Sequence, residues 1–269
     1  MFGDSLVLGF VQGLTEFLPV SSSAHLVIMQ RILGWREPAL AFDLMLHVAT
    51  MMATLIFFRN DVGRLGMEWL AGFRGSEGRK PGWRYGWAVI AATMATALVG
   101  LPLKPLVEKA LSSTMVVGLG LILTAALLEG AMRASEGRRR LGLGHAFLVG
   151  LAQGVATFPG ISRSGSTIAA SVFLGIPREE AFRFSFLLSL PAILGATVLE
   201  GRDLGGWGAF GASLPSGWWA GMAVALVTGL MALAVLRRLV IQGRWRGFAV
   251  YCALLGGSTV VFSLLFPGV

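Results

Sequence analysis

The chain has 269 residues, 55% of them hydrophobic and only 13% charged, with a mean hydropathy of +0.74. A soluble domain carries roughly 25% charged residues, so the composition excludes a soluble globular protein and points to an integral membrane protein. The net charge of +8 is not a sign of a nucleic-acid partner, because the basic residues lie between the apolar runs, where the positive-inside rule puts them.

The first element covers roughly residues 4–33 and is broken near its middle by Pro19. It reads Gly9-Phe-Val-Gln12-Gly13-Leu-Thr-Glu16-Phe17-Leu-Pro19-Val-Ser21-Ser22-Ser23-Ala24-His25. The opening Met-Phe-Gly-Asp has no basic region and Glu16 interrupts the apolar stretch, so no cleavable signal peptide is expected. A proline break followed by serines predicts a new helix with hydroxyl N-caps and free backbone N–H groups. Such a terminus favours anions, phosphate among them. Glu16 and His25 flank the turn and Ser22 sits within it. Carboxylates and phosphate oxygens together form the usual environment of Mg²⁺ or Ca²⁺.

Crossing the hydrocarbon core takes about 20 apolar helical residues. Six runs qualify as spans: Ala39–Phe58, Gly86–Leu103, Met115–Met132, Ala181–Leu199, Trp218–Leu236 and Phe248–Phe266. They are continuous rather than alternating, which excludes a β-barrel. Arg59, Arg64, Arg74, Arg79, Lys80 and Arg84 fill the loop after the first span, Arg133 and Arg138–Arg140 follow the third, and Arg237, Arg238, Arg244 and Arg246 follow the fifth. These are 14 of the 22 basic residues, and all three loops are assigned to the cytoplasm.

Between the third and fourth spans, residues 143–174 form a second broken element, interrupted at Pro159-Gly160. Its stretch Gly150-Leu-Ala-Gln153-Gly154-Val-Ala-Thr157-Phe158-Pro-Gly-Ile-Ser162-Arg163-Ser164 matches the first motif at six of fifteen positions, offset by 141. Ala41-Phe42-Asp43 likewise pairs with Ala181-Phe182-Arg183. The charge pattern makes Ala39–Phe58 and Ala181–Leu199 run in opposite directions, so the halves, about 1–135 and 141–269, read as inverted repeats of one membrane domain. Each broken element then returns to the side it entered from. The expected fold is all-α, with six transmembrane helices plus two re-entrant helical hairpins. Irregular backbone at membrane depth is tolerated where protein or a water-filled cavity satisfies it, and inverted repeats with broken helices build the substrate sites of many transporters.

In the second motif, Ser162-Arg163-Ser164-Gly165-Ser166-Thr167 adds four hydroxyls and a guanidinium to a helix start. Arg binds phosphate bidentately, and an arginine at membrane depth is functional by default. Taken singly, the serines of either motif also fit a purely structural reading, as caps or close-packing residues. Asp43 and His47 lie one turn apart on one face of a span; they read as a polar pair between helices, with support of the site as the alternative. Asp43 and Arg183, at matching repeat positions, are candidates for an ion pair, and Arg183 is alternatively a diphosphate contact. Cys252 stands alone and reads as a packing residue.

The paired motifs E-F-L-P-V-S-S-S-A-H and P-G-I-S-R-S-G-S-T, with the Phe184-Ser185-Phe-Leu-Leu188 segment, closely resemble the undecaprenyl-diphosphatase, or bacitracin-resistance, family. The resemblance covers essentially the whole chain. It implies hydrolysis of undecaprenyl diphosphate to the monophosphate carrier lipid and phosphate. The setting it implies is the outer face of the bacterial cytoplasmic membrane, with a divalent metal, Mg²⁺ or Ca²⁺, on Glu16. It puts Glu16, Ser22, His25 and Arg163 on the catalytic positions, and Ser21, Ser23, Ser162, Ser164, Ser166, Thr167 and Gln12 around the substrate. Some members carry a second glutamate where this chain has Gln12. Ser22 as nucleophile with His25 as general base is the expected chemistry, with attack by His25 or by metal-bound water as rivals. The expected partners are the polyprenyl diphosphate and membrane lipids, with a second copy of the chain as a further candidate. A polyprenyl-phosphate transporter is the competing reading. An acid-phosphatase-type enzyme is disfavoured, because neither a K-x6-R-P motif nor paired S-G-H and R-x5-H-x3-D motifs occur.

Overall fold

The structure, a computed structural model, describes residues 2–35, 39–75, 81–111, 113–203 and 207–266. The described residues form helices and turns without a strand. In chain order the helices are α1 (Phe2–Thr15), α2 (Ser22–Ile32), α3 (Leu40–Phe57), α4 (Arg59–Gly72), α5 (Pro81–Leu111), α6 (Thr114–Arg133), α7 (Leu143–Val155), α8 (Arg163–Phe173), α9 (Arg178–Asp203), α10 (Trp207–Ala212), α11 (Trp218–Ile241) and α12 (Arg246–Leu265). Six of them, α3, α5, α6, α9, α11 and α12, are long and apolar enough to cross a membrane, and the protein is a multi-pass membrane protein.

The six spans fall where the hydropathy puts them, with α5, α9 and α11 longer than expected. Helix α5 passes through Pro102 and Pro105 and ends at Leu111, α9 begins at Arg178 and passes through Pro191, and α11 continues to Ile241. Two stretches read as loops are partly helical. Helix α4 occupies Arg59–Gly72, where Arg59, Asp61 and Arg64 lie exposed or half-buried while Leu65 is buried. Its Trp69 packs edge-on to Trp87 of α5, ring centroids 6.1 Å apart. Helix α10 lies in the Gly- and Trp-rich stretch. Arg79 and Lys80 of the first basic loop lie outside the described residues.

Packing joins the two halves of the chain. Helix α1 lies on α11 and α7 lies on α5, and both contacts rest on glycine. A Cβ on Gly9 would collide with the Gly221 backbone, and one on Gly150 with the Ala92 backbone; small residues let membrane helices approach this closely. Helices α3 and α9 meet, as do α6 and α12. A buried aromatic group, Phe17, Phe58, Phe182 and Phe186, fills the centre, with Phe182 and Phe186 ring centroids 4.8 Å apart. It holds the turn between α1 and α2 against α9 through Phe17 and Phe186, 5.7 Å apart.

The two helix–turn–helix elements meet at their turns. Their irregular backbone is satisfied by side chains from neighbouring helices, as an apolar surround requires. Thr124 of α6 donates its hydroxyl to the Gly160 carbonyl at 3.0 Å and accepts from Ser162 N at 2.9 Å. Ser164 Oγ donates to the Leu18 carbonyl at 3.4 Å, and the Cys252 thiol faces the Pro19 carbonyl at 3.6 Å. Cys252 therefore does more than pack.

Candidate active site

The first turn runs from Glu16 to Ser21, between α1 and α2. Ser21 has φ 66°, the one non-glycine residue with positive φ among those described. Such a conformation costs about 1–3 kcal/mol and persists where the surroundings over-determine it. Here the Ser21 carbonyl accepts from His25 Nδ1 at 2.8 Å, and its hydroxyl lies 3.2 Å from that of Ser23. The expected hydroxyl cap is absent at Ser21 but present at Ser162, whose Oγ accepts from Gly165 N at 3.1 Å. The second break turns at Gly160, φ 87°, and α8 then starts at Arg163.

Glu16 is the hub. Its Oε1 accepts from Arg163 Nη2 at 2.6 Å, which ties the two turns together. Its Oε2 accepts from the Ser22 hydroxyl at 2.7 Å and from Gln12 Nε2 at 3.0 Å. His47 of α3 brings Nε2 to 3.6 Å from the same oxygen. The carboxylate is buried, and four polar partners offset the loss of its hydration. The Arg163 guanidinium also lies 5.8 Å from the Phe186 ring centroid, an apolar backing that holds it in place.

The hydroxyls that looked alike in sequence divide by what they already bond. Ser162 caps α8 and faces Ser164. Thr167 donates to the Arg163 carbonyl at 2.9 Å and lies 2.5 Å from Ser185 Oγ. By contrast Ser166 Oγ, Arg163 Nη1 and Gln12 Oε1 are buried and have no partner among the described residues. A buried polar atom left unpaired costs about 1–3 kcal/mol, and those of Arg163 and Gln12, which each bond Glu16 through another side-chain nitrogen, mark where a polar ligand belongs. The N–H groups of Arg163 and Ser164 in the first turn of α8 have no intrahelical carbonyl to bond, so they add to an anion site.

His25 sits elsewhere than its expected role requires. Nδ1 bonds the Ser21 carbonyl, and Nε2 lies 2.6 Å from Tyr251 Oη, with the two rings stacked at 5.6 Å. Neither nitrogen faces Ser22; the acceptor on the Ser22 hydroxyl is Glu16. The Asp43–Arg183 ion pair is not formed either. Asp43 accepts from Gln30 Nε2 at 2.7 Å, and Arg183 pairs with Asp61 and lies over the Tyr85 ring. That partnership also keeps Arg183 off the Glu16 cluster. Tyr251, one of only two tyrosines, carried no signal in the sequence that set it apart from an interfacial anchor.

This carboxylate–hydroxyl–guanidinium cluster sits on the two motifs that the sequence repeats, and comparison with known proteins identifies the pattern. A profile of the family described as "Bacitracin resistance protein BacA" matches residues 5–258. The chain belongs to that family. Curated relatives are similar along nearly their whole length. A protein of Desulfosudis oleivorans named undecaprenyl-diphosphatase is 44% identical over 268 residues, 96% of this chain and 97% of its own. One of the same name from Methanosphaera stadtmanae is 36% identical, with 97% and 98% covered, and one from Korarchaeum cryptofilum is 41% identical, also with 97% and 98% covered. Family membership therefore applies to both turns of the site together.

The cation expected with this family has a partial ligand set here. Among the described residues no three His, Cys, Asp or Glu side chains converge. Glu16 and Gln12 are nonetheless oxygen-bearing side chains in contact, with Gln12 Nε2 on Glu16 Oε2 and Gln12 Oε1 buried without a partner among the described residues. One or two such ligands completed by substrate phosphate oxygens is the common way of holding Mg²⁺. The residues present fit a cation shared with the substrate.

Proposed function

We propose that this protein hydrolyses undecaprenyl diphosphate to undecaprenyl phosphate and inorganic phosphate, which recycles the carrier lipid of cell-wall synthesis and underlies bacitracin resistance. The observation that carries the reading is the Glu16–Ser22–Arg163 cluster, which needs both turns and leaves Arg163 Nη1 and the adjoining Gln12 Oε1 buried without a partner among the described residues. The full-length similarity to proteins named undecaprenyl-diphosphatase supports the substrate. We place the site in a bacterial cytoplasmic membrane, open to its outer side, within a single domain of two inverted repeats whose broken helices are re-entrant. The positive-inside pattern and the repeated motifs support that placement.

In the proposed reaction Arg163 Nη1, Ser166 Oγ and the N-terminus of α8 bind the terminal phosphate. Ser22 Oγ forms a bond to the terminal phosphorus while the bridging P–O bond breaks and undecaprenyl phosphate departs with the electron pair. The Ser22 proton has an acceptor in Glu16 Oε2, already 2.7 Å away. Water then attacks the phosphoserine, phosphate leaves, and Ser22 regains its proton. Glu16 and Gln12 would hold a divalent cation, Mg²⁺ or Ca²⁺, which when bound supplies positive charge against the phosphoryl oxygens. Positioning and charge stabilisation do most of the work in phosphoryl transfer. His25, held by Ser21 and Tyr251, shapes the turn rather than accepting the Ser22 proton.

Phosphate release from a C55 polyprenyl diphosphate by the purified protein in detergent, with and without Mg²⁺ or Ca²⁺, tests the reading. Release that depends on the cation and disappears in Ser22→Ala and Arg163→Ala is expected. A folded wild type that binds the lipid but releases nothing would overturn it and leave a carrier as the function. Ser22→Ala with near-normal turnover would remove Ser22 as nucleophile.

A further inference from the structure

A threonine inside a helix has a partner at hand in the carbonyl one turn back, and buried threonines of this chain take it. Thr50 and Thr54 of α3, Thr228 of α11 and Thr259 of α12 each donate to the carbonyl four residues earlier, at 3.3, 3.2, 2.8 and 2.7 Å. Thr124 of α6 spends its hydroxyl outside its own helix, on the second turn. Ser162 N can only donate, so Thr124 Oγ1 accepts from it at 2.9 Å, and the hydroxyl proton goes to the Gly160 carbonyl at 3.0 Å. The residue is 1% exposed, and it has no proton left for a ligand.

What Thr124 fixes is the start of α8. Gly160 turns with φ 87°, and Ser162 follows in an extended conformation as the N-cap. The hydroxyl ties the carbonyl of the one to the amide of the other, which sets where the helix begins. Ser162 Oγ then accepts from Gly165 N, and the Ser162 carbonyl accepts from Ser166 N. The N–H groups of Arg163 and Ser164 stay free at the helix end, beside the unpaired Arg163 Nη1. From α9, Ser185 holds the same first turn through the Thr167 hydroxyl. The turn between α1 and α2 is backed more weakly, by the Cys252 thiol of α12 at 3.6 Å from the Pro19 carbonyl, a poor donor. Thr124 thus does more than satisfy buried backbone, because the two groups it bonds lead directly into the anion-binding end of α8.

We infer that Thr124 is a positioning residue for the phosphate: its hydroxyl sets the direction of the Arg163 and Ser164 N–H groups and of the Arg163 side chain, without touching the substrate. This role rests on the phosphate site proposed above and deepens it by adding a residue from a separate span. Without the hydroxyl, a buried carbonyl and a buried N–H lose their partner, and the turn shifts to find others. A displacement of about 1 Å away from the chemistry can cost about 10²-fold in rate.

The test compares Thr124→Val, which keeps the side-chain shape, with Thr124→Ser, which keeps the hydroxyl, in the purified full chain in detergent with Mg²⁺. Thr259→Val is the control, since that hydroxyl bonds its own helix. Calorimetry with lipid-free methylenebisphosphonate reads the anion site as a dissociation constant. Folded molecules alone determine that constant, so a merely structural threonine would leave it unchanged. Thr124→Val should weaken binding at least about tenfold, the loss of one hydrogen bond to a charged group, and lower kcat for a C55 diphosphate by about 10- to 100-fold. Thr124→Ser should recover most of both, and Thr259→Val should match the wild type. If Thr124→Val does not fold, Thr124→Cys, with its weak thiol donor, carries the comparison and should bind less tightly than Thr124→Ser. Binding by Thr124→Val, or by Thr124→Cys in its place, as tight as that of Thr124→Ser overturns the inference, while wild-type turnover keeps the phosphatase reading. A wild type that binds the bisphosphonate, weakens in Thr124→Val and releases no phosphate from the lipid retains the positioning role and removes hydrolysis. A wild type that binds no bisphosphonate overturns the anion site and the role of Thr124 together.

Discussion

Arg163 serves two partners through different nitrogens, and stability and turnover should report on them separately. Nη2 is 2.6 Å from Glu16 Oε1 in a pair whose side chains are 18% and 5% exposed, and Nη1 has no partner among the described residues. Removing one member of a buried pair leaves an uncompensated charge and costs about 3–5 kcal/mol. Because the guanidinium keeps some exposure, Arg163→Met should cost about 3 kcal/mol, the low end of that range. Glu16→Gln should cost a similar amount by stranding the guanidinium. The double variant has no stranded charge, so it should recover at least about 1.5 kcal/mol relative to the sum of the singles, within the range seen for directly coupled groups. Turnover should not recover. An arginine that stabilises a transferring phosphoryl group contributes about 10³–10⁵ in rate, so all three variants should stay at least about 10³-fold below wild type. Denaturant unfolding in mixed micelles measures the first quantity and phosphate release the second. Stability losses that add to within about 0.5 kcal/mol would refute the buried-pair argument. A double variant whose turnover returned along with its stability would refute the phosphate role of Nη1.

Three further outcomes follow from the geometry. Ser166→Ala removes an unpaired buried hydroxyl, so the empty protein should be as stable as wild type or slightly more so. A hydrogen bond to a charged phosphate is worth about 1.5–3 kcal/mol, so kcat/KM should drop roughly 10- to 150-fold; unchanged kinetics would take Ser166 out of the site. Tyr251→Phe deletes the hydroxyl 2.6 Å from His25 Nε2. That neutral bond is worth about 0.5–1.5 kcal/mol, so steady-state turnover should fall by no more than about tenfold, whereas a loss above about 10²-fold would put His25 into the reaction. Gly120→Ala drives a Cβ into the Pro159–Gly160 backbone. Overpacking of this kind costs about 1–3 kcal/mol, and thermal unfolding of Gly120→Ala beside Gly195→Ala, where a Cβ meets nothing within 4 Å, should show the loss in the first variant alone.

The sequence by itself determined the class of protein, the six spans and the two polar motifs. Membrane solvation is severe enough that apolar length marks a span, and charge in a membrane is costly enough that Glu16 and Arg163 stood out. The similarity of the motifs along the chain also told which residues belong together. Partnership across the fold was decided only by tertiary structure. Nothing local distinguishes Ser166, left unpaired, from Thr167, whose hydroxyl is taken by Ser185. The His25 ring is three positions from Ser22 in the chain, yet the strained backbone at Ser21 and Tyr251 on α12 hold it away from the Ser22 hydroxyl. His47 read as half of a polar pair because its i−4 neighbour is Asp43, but the bond it makes there is to the Asp43 carbonyl, which frees the other nitrogen to face Glu16. Arg183 left its repeat counterpart for Asp61 on α4, a helix that the basic composition of its segment concealed. In each case helix packing fixed a direction, and a hydrogen-bonding atom has a function only once its direction is set.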